Sequence, residues 1–274
     1  MGSRGSHIAA RRAARFRWGT IDKSGGGATQ RLPGIRLPPV ARHEKVRIVQ
    51  IVLVSSPGTG EAPHWSHALS LQFARLAVAR GATVRWMAAL HPGQPQPPSE
   101  TGIQVFAHQE RSKLPLSKVA SSQLDAPVES AVTACLREQP LSVVVHIGVG
   151  TQGTPNVLWL SDRLGSRTFA CTRGIELVCH RGDLLDRDKR VCQDWSDAER
   201  CRWCCSISRF RRPASNDLLN RVDLLIAGLQ TCASILVPDE GDVAFILGLG
   251  IPAQQIAVGA TAEDLVARVF ATAD

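Results

Sequence analysis

Four cysteines have the residue type and spacing of a metal site: Cys179, Cys192, Cys201 and Cys204. The Cys-x2-Cys pair at 201 and 204 supplies two thiolates from one turn, and two more thiolates complete the tetrahedron that zinc prefers. We therefore predict a structural Zn²⁺ site on these four residues. An iron–sulfur cluster is the second interpretation, because four cysteines also ligate such clusters. Thiols without metal, free or disulfide-linked, are the third.

The other cysteines and the absence of a secretory segment bear on the compartment. Cys135 lies on a predicted helix and Cys171 on a predicted strand, and both, like Cys232, are expected to be small buried side chains. No secretory apolar region precedes the body of the chain, so we predict a cytoplasmic protein. In a reducing compartment, clustered thiols bind metal more often than they form disulfides.

Predicted strands and helices alternate along the chain. The helical segments are 64–81, 127–137, 155–164, 214–221, 239–248 and 262–270. The strand segments are 46–54, 82–90, 102–108, 141–147, 166–172, 222–228 and 255–260. Near-continuous apolar runs such as 46–54 are typical of strands covered on both faces. The alternation predicts an α/β fold with a doubly wound, mostly parallel, Rossmann-like sheet.

Charge divides the chain into two regions. The net charge is +8, and residues 1–45 carry ten Lys or Arg against two acidic residues, so the remainder is neutral. We predict a disordered basic tail over 1–45 and one folded domain over 46–274, with a cysteine-rich insertion at about 176–213. Nucleic acid or an anionic surface would bind only through the tail, whose other interpretations are a solubilising tail or a transit peptide. No apolar run is long enough to span a membrane.

Candidate ligand-binding residues follow the predicted strands. They are Gly58, Gly60, His64, His67, His146 and Arg173, and only His146 is also a catalytic candidate. Ligands of open α/β sheets bind outside the carboxyl ends of the strands, and a first turn with glycines lets a ligand approach a helix N-terminus. The alternatives are structural: turn glycines, solvated histidines after the turn, a core histidine at 146, and an Arg173–Gly174 loop into the insertion.

The order of these segments resembles the N-terminal, acceptor-side domain of GT-B glycosyltransferases of the family 4 type. Four stretches carry the resemblance: VRIVQIVLVSSPGTG with the helix after it, LSVVVHIG, CHRGDLLDRDKRVC with the later cysteines, and VDLLIAG to IPAQQIAVGA. Together they span 46–260. The resemblance implies one half of a GT-B fold, with an acceptor, glycan or nucleotide sugar in the cleft.

The resemblance also implies departures from that family. The family's second domain, which binds the sugar nucleotide, would follow where this chain ends. Its His-Asp pair falls on Arg173 and Gly174, the second histidine of its "HIH" strand end falls on Gly148, and its "APS" falls on Ala227–Leu229. Without these groups we do not expect transfer by the chain alone, since they stabilise the separating charges.

Three functions are therefore compatible with the sequence. The first is the acceptor-side subunit of a split, sugar-nucleotide-dependent glycosyltransferase, or a degenerate relative, whose partner carries the donor-binding domain. The second is a non-enzymatic, zinc-stabilised Rossmann module that binds a ligand or a protein. The third is a truncated full-length transferase.

Overall fold

A computed structural model describes residues 50–55, 65–90, 95–109, 126–139, 142–149, 156–179, 186, 188–192, 197–204, 215–259 and 261–271. The predicted basic tail lies outside this part of the chain. So do Gly58, Gly60 and His64, and the predictions that concern them stay predictions.

One seven-stranded, wholly parallel sheet forms the centre of the described fold, in the order β3-β2-β1-β4-β5-β6-β7. The strands are β1 Gln50–Ser55, β2 Thr83–Leu90, β3 Ile103–Gln109, β4 Val143–Ile147, β5 Arg167–Cys171, β6 Ser234–Val237 and β7 Ile256–Val258. Every residue of β1 and β4 is buried, as expected for central strands covered on both faces. The predicted α/β, doubly wound fold is confirmed.

Helices cover both faces of this sheet. They are α1 Trp65–Ala79, α2 Ala126–Glu138, α3 Asn156–Arg163, α4 Gly174–Val178, α5 Ala198–Cys204, α6 Ser215–Gln230, α7 Glu240–Gly248 and α8 Ala262–Ala271. Leu53 and alternate strand residues pack with α1 and α8 on one face. Val52, Val54 and Val144 face α2 and α3 on the other. The period-two alternation of strand side chains thus divides the core into two layers.

One predicted strand is wrong. Residues 222–228 belong to α6, and the strand next to β5 is β6 at Ser234–Val237. Val222, Leu225, Ile226 and Leu229 repeat at helical spacing and pack into one core cluster, whereas a strand would place neighbouring residues on opposite faces. The comparison of Ala227–Leu229 with a strand-end "APS" therefore has no structural basis.

The cysteine-rich segment contains helices that the sequence analysis did not predict. Gly174 begins α4, so Arg173 and Gly174 do not open a loop at that point. Cys201 and Cys204 lie on α5, which packs against α6. In the described part of the chain, no helix combines the length and the apolar character that a membrane crossing requires.

Candidate ligand-binding edge and thiol cluster

The carboxyl ends of β1 and β4 lie side by side at the point where the strand order reverses. Ser55 pairs with Ile147 there, while the chain proceeds from β1 outward to β2 and β3 in one direction and from β4 outward to β5 in the other. Open α/β sheets bind ligands in the crevice beyond such a switch point. The predicted Gly58, Gly60 and His64 belong to the connection between β1 and α1.

His146 lies near the end of β4, between Val54 of β1 and Ala170 of β5. Its side chain is fully buried, and neither ring nitrogen has a hydrogen-bond partner among the described residues. Burial lowers the pKa of this imidazole to about 4, so His146 is neutral at physiological pH. A buried ring with two unsatisfied nitrogens is an energetic liability that a ligand, water or neighbouring segment would relieve.

A second group at the edge, which we call the Trp65 cluster, consists of Trp65, Arg173 and Glu176. The indole Nε1–H of Trp65, the first residue of α1, donates to Glu176 Oε1 at 2.7 Å. The guanidinium carbon of Arg173 lies 5.1 Å from the centroid of the Trp65 ring. Glu176 is buried and Arg173 is exposed. Sequence reasoning found Arg173 but missed the other two, which are 111 positions apart.

Gly174 is fixed by its packing against α7. A Cβ at this position would lie 2.6 Å from Phe245 Cβ and 3.0 Å from the Asp242 carbonyl oxygen. The Gly174 N–H donates to Asp242 Oδ1 at 2.6 Å, and the Ile175 N–H also interacts with that carboxylate. Burial raises the pKa of Asp242, and the hydrogen bond from Gly174 opposes this shift. Asp242 thus caps α4, whose N-cap residue makes no side-chain bond of its own.

The ends of β4 and β5 are tied together by one backbone hydrogen bond and one hydrogen bond from a side chain. Gly148 N–H donates to the Cys171 carbonyl at 2.8 Å, and the Thr172 hydroxyl donates to the Val149 carbonyl. Gly148 has a φ of 78°, a conformation that a histidine side chain would strain. The glycine at this position therefore follows from the turn that leaves β4.

The structure does not bring His146 and Arg173 together. His146 shares its parity on β4 with Val144, on the sheet face that α2 and α3 cover. Cys171 packs on the opposite face with α1, and Arg173, two residues further on, lies over Trp65 of that helix. Predicted residue His67 also lies on the α1 side, where its ring packs edge-on against the buried Trp86 at 6.0 Å. The edge therefore has two separate polar groups, one on each face.

The four predicted metal ligands occur in one neighbourhood, the thiol cluster (Cys179, Cys192, Cys201 and Cys204). Burial raises the pKa of the Cys201 thiol to about 12, and the charges of the other three thiols add to this rise. All four side chains are half-buried, and none of the seven described cysteines forms a disulfide. Cys135, Cys171 and Cys232 are buried, as predicted.

The thiol cluster has suitable residue types for a metal but not a suitable arrangement. Four thiols in one neighbourhood are a donor set that suits Zn²⁺. Within the described residues, however, no three His, Cys, Asp or Glu side chains are arranged closely enough to hold an ion. The residue types fit zinc, but their arrangement does not, and ligation requires the sulfurs to draw closer together.

Comparison with known proteins gives only distant likenesses. Neither a protein-family profile nor a curated protein matches the chain. A UDP-glucosyltransferase of Polygonum tinctorium is similar in structure over 77% of this chain and 51% of its own, with 13% identity and a TM-score of 0.41. A UDP-N-acetylglucosamine 2-epimerase of Rickettsia bellii matches over 82% and 48%, with 10% identity and a TM-score of 0.41. Os79 of O. sativa, in complex with UDP, matches over 76% and 51%, with 15% identity and a TM-score of 0.40. The chain spans about half the length of these structures.

Proposed function

We propose that this domain is the acceptor-side lobe of a sugar-nucleotide-dependent glycosyltransferase. In this proposal a partner protein supplies the donor-binding lobe. The ligand, an acceptor glycan or a nucleotide sugar, binds at the carboxyl edge of the sheet. The observation that carries the proposal is this edge, which presents binding groups but has no room for the carboxylate that the resembled family carries there.

The groups at the carboxyl edge support the part of the proposal that places a ligand there. The all-parallel 3-2-1-4-5-6-7 sheet has its switch point between β1 and β4, where such folds bind ligands. Arg173 and Trp65 lie at this edge on one face, and His146 lies buried on the other. Binding residues are disproportionately found in the segments that connect such elements, as at this edge.

The packing around Gly174 supports the part of the proposal that this edge has no room for a carboxylate. In the resembled family this position carries the aspartate of a His-Asp pair. Here even a methyl group would lie 2.6 Å from Phe245 Cβ, so an aspartate requires α7 to move away from α4. Arg173, at the histidine position, has no proton-accepting nitrogen at physiological pH because its guanidinium stays charged. The pair is thus replaced by residues that cannot act as a general base.

A binding and turnover assay tests the proposal. Purified chain is titrated with nucleotide sugars and with glycans while melting temperature and product formation are followed. We expect binding without turnover, and Gly174→Asp should not introduce activity. Sustained transfer or hydrolysis by the chain alone would contradict the division of labour between two lobes.

The thiol cluster supports a second candidate function, a zinc-stabilised binding module without enzymatic activity. Zinc held by Cys179, Cys192, Cys201 and Cys204 would fix a segment that has little apolar core of its own. An iron–sulfur cluster is the alternative group for the same four ligands. The two functions differ in their partner, because only the first requires a sugar-nucleotide-binding protein.

Metal analysis tests the zinc proposal. We expect about one zinc per chain, since four thiolates complete one tetrahedral site. Cys201→Ser and Cys204→Ser should lose the metal, whereas Cys232→Ser, which changes a buried cysteine outside the cluster, should keep it. Iron with visible absorption would favour the cluster alternative, and metal-free protein would refute both. A cytoplasmic location is part of the proposal, because clustered thiols bind metal more often than they form disulfides in a reducing compartment.

A further inference from the structure

We propose that Arg173 and Trp65 form a subsite for an anionic group, a carboxylate or a phosphate, on the ligand of this domain. The inference rests on the proposed function only in placing a ligand at the carboxyl edge. It adds that the ligand is negatively charged, and it identifies Arg173 as the residue that binds the charge.

The guanidinium of Arg173 has its donors available. Its carbon lies over the Trp65 ring, 5.1 Å from the ring centroid, in a cation–π contact. Among the described residues, no carboxylate lies within ion-pair distance of it, and none of its N–H groups donates a hydrogen bond. The side chain is exposed. The planar guanidinium presents its N–H groups in a fork geometry that matches a carboxylate or phosphate.

The platform under Arg173 is itself anchored. The Trp65 Nε1–H donates to Glu176 Oε1 at 2.7 Å, and Glu176 is only 8% exposed. Glu176 lies on α4, and the Asp242 carboxylate caps the first residues of that helix. The indole is therefore fixed at its polar edge, and the arginine stacked on it loses less conformational freedom when it binds a ligand.

The surrounding charge also favours an anion. Trp65 is the first residue of α1, a 15-residue helix with no acidic residue in its first turn. Its dipole therefore adds positive potential beside Arg173. Asp242 is close enough for the charge of Arg173 to affect it, but its carboxylate already accepts the backbone N–H groups of α4. Glu176 is likewise occupied by Trp65.

A second stacked arginine supplies a matched control. The guanidinium carbon of Arg163 lies 4.1 Å from the centroid of the exposed Trp159 ring on α3. This pair has the same chemistry and a comparable geometry, but it lies on a helix and not at the carboxyl edge. A general effect of removing a surface arginine would appear equally in both variants.

The experiment compares Arg173→Gln and Arg163→Gln with the wild-type chain. Dissociation constants are measured by calorimetry for UDP and glucuronate, with uridine and glucose as their neutral counterparts. We expect Arg173→Gln to weaken the binding of the anionic probe by about tenfold or more, which is the contribution of a hydrogen-bonded charge pair. The neutral probes and the Arg163→Gln variant should show no change. Melting temperatures of both variants equal to that of the wild type establish that both remain folded.

The outcomes separate the possible failures. A loss confined to UDP assigns the anion to the diphosphate of a nucleotide sugar, and a loss confined to glucuronate assigns it to an acidic acceptor. If the wild type binds these probes and Arg173→Gln binds them equally well, the anionic subsite is refuted and the proposed function survives. If the wild type binds no probe, charged or neutral, both fail.

Discussion

Substituting Gly174 by alanine tests whether the packing of α7 leaves no room for a side chain at this position, where the resembled family carries a carboxylate. The new Cβ would overlap Phe245 Cβ at 2.6 Å and press on the Asp242 carbonyl oxygen at 3.0 Å, and both atoms belong to α7. Overpacking of this kind costs about 1–3 kcal/mol. Moving α7 away would also lengthen the bond from the Gly174 N–H to the Asp242 carboxylate, and a hydrogen bond to a charged group contributes about 1.5–3 kcal/mol.

We therefore expect Gly174→Ala to lower the free energy of unfolding by about 3 kcal/mol. In a domain of this size, that corresponds to a fall in melting temperature of about 6–12 °C. Differential scanning calorimetry and urea denaturation measure the two quantities independently. Aggregation on heating would leave the urea value as the test.

Gly248, the last residue of α7, is the matched control. A Cβ built there meets no atom within 4 Å, so the same substitution introduces no overlap. Alanine is favoured over glycine in a helix by about 0.5–1 kcal/mol, and Gly248→Ala should therefore be neutral or slightly stabilising. If Gly174→Ala melts within about 1 °C of the wild type, the position is open and our explanation for the lost carboxylate is wrong.

Three further predictions concern the other groups. Trp65→Phe removes the donor to the buried Glu176 and should cost about 1–3 kcal/mol in urea denaturation, whereas an unchanged value would show that the bond does not anchor the indole. The folded pKa of His146 is about 4 against 6.5 in the unfolded chain, so protonation favours unfolding and stability should fall by about 2 kcal/mol between pH 6.5 and pH 5. His146→Gln should remove that part of the pH dependence, and an identical pH profile would refute it. A zinc chelator should lower the melting temperature of the wild type but not of Cys201→Ser, because the free energy of metal binding stabilises the folded chain. Equal shifts in melting temperature would count against zinc at this residue.

Local sequence patterns predicted most of the elements because burial on one or both faces determines those patterns. The runs at 46–54 and 141–147 are apolar throughout because helices cover β1 and β4 on both sides. The segment 222–228 is also largely apolar, but Val222, Leu225 and the following Leu229 have the 3.6-residue period of a helix. Extending the window to 16 residues, the length of α6, would have revealed that period.

The candidate site was less predictable, because its contacts are non-local. Arg173 was found from its position after a strand, but nothing near it in sequence indicates Trp65 as the ring beneath it. In the sequence Glu176 is one of several charged residues at the start of the cysteine-rich insertion, and it becomes distinctive only as the acceptor for an indole 111 positions away. The tight packing of Gly174 likewise depends on α7, which the chain forms much later.

Affinity purification from the cells that produce this protein tests the two-lobed account most directly. The tagged chain is recovered and its partners identified, and sugar transfer from nucleotide sugars is then compared between the eluate and the isolated chain. The account predicts a stoichiometric partner that binds sugar nucleotides, with transfer only when both are present. Transfer by the isolated chain, or a partner-free eluate in which the edge binds no sugar ligand, would contradict it.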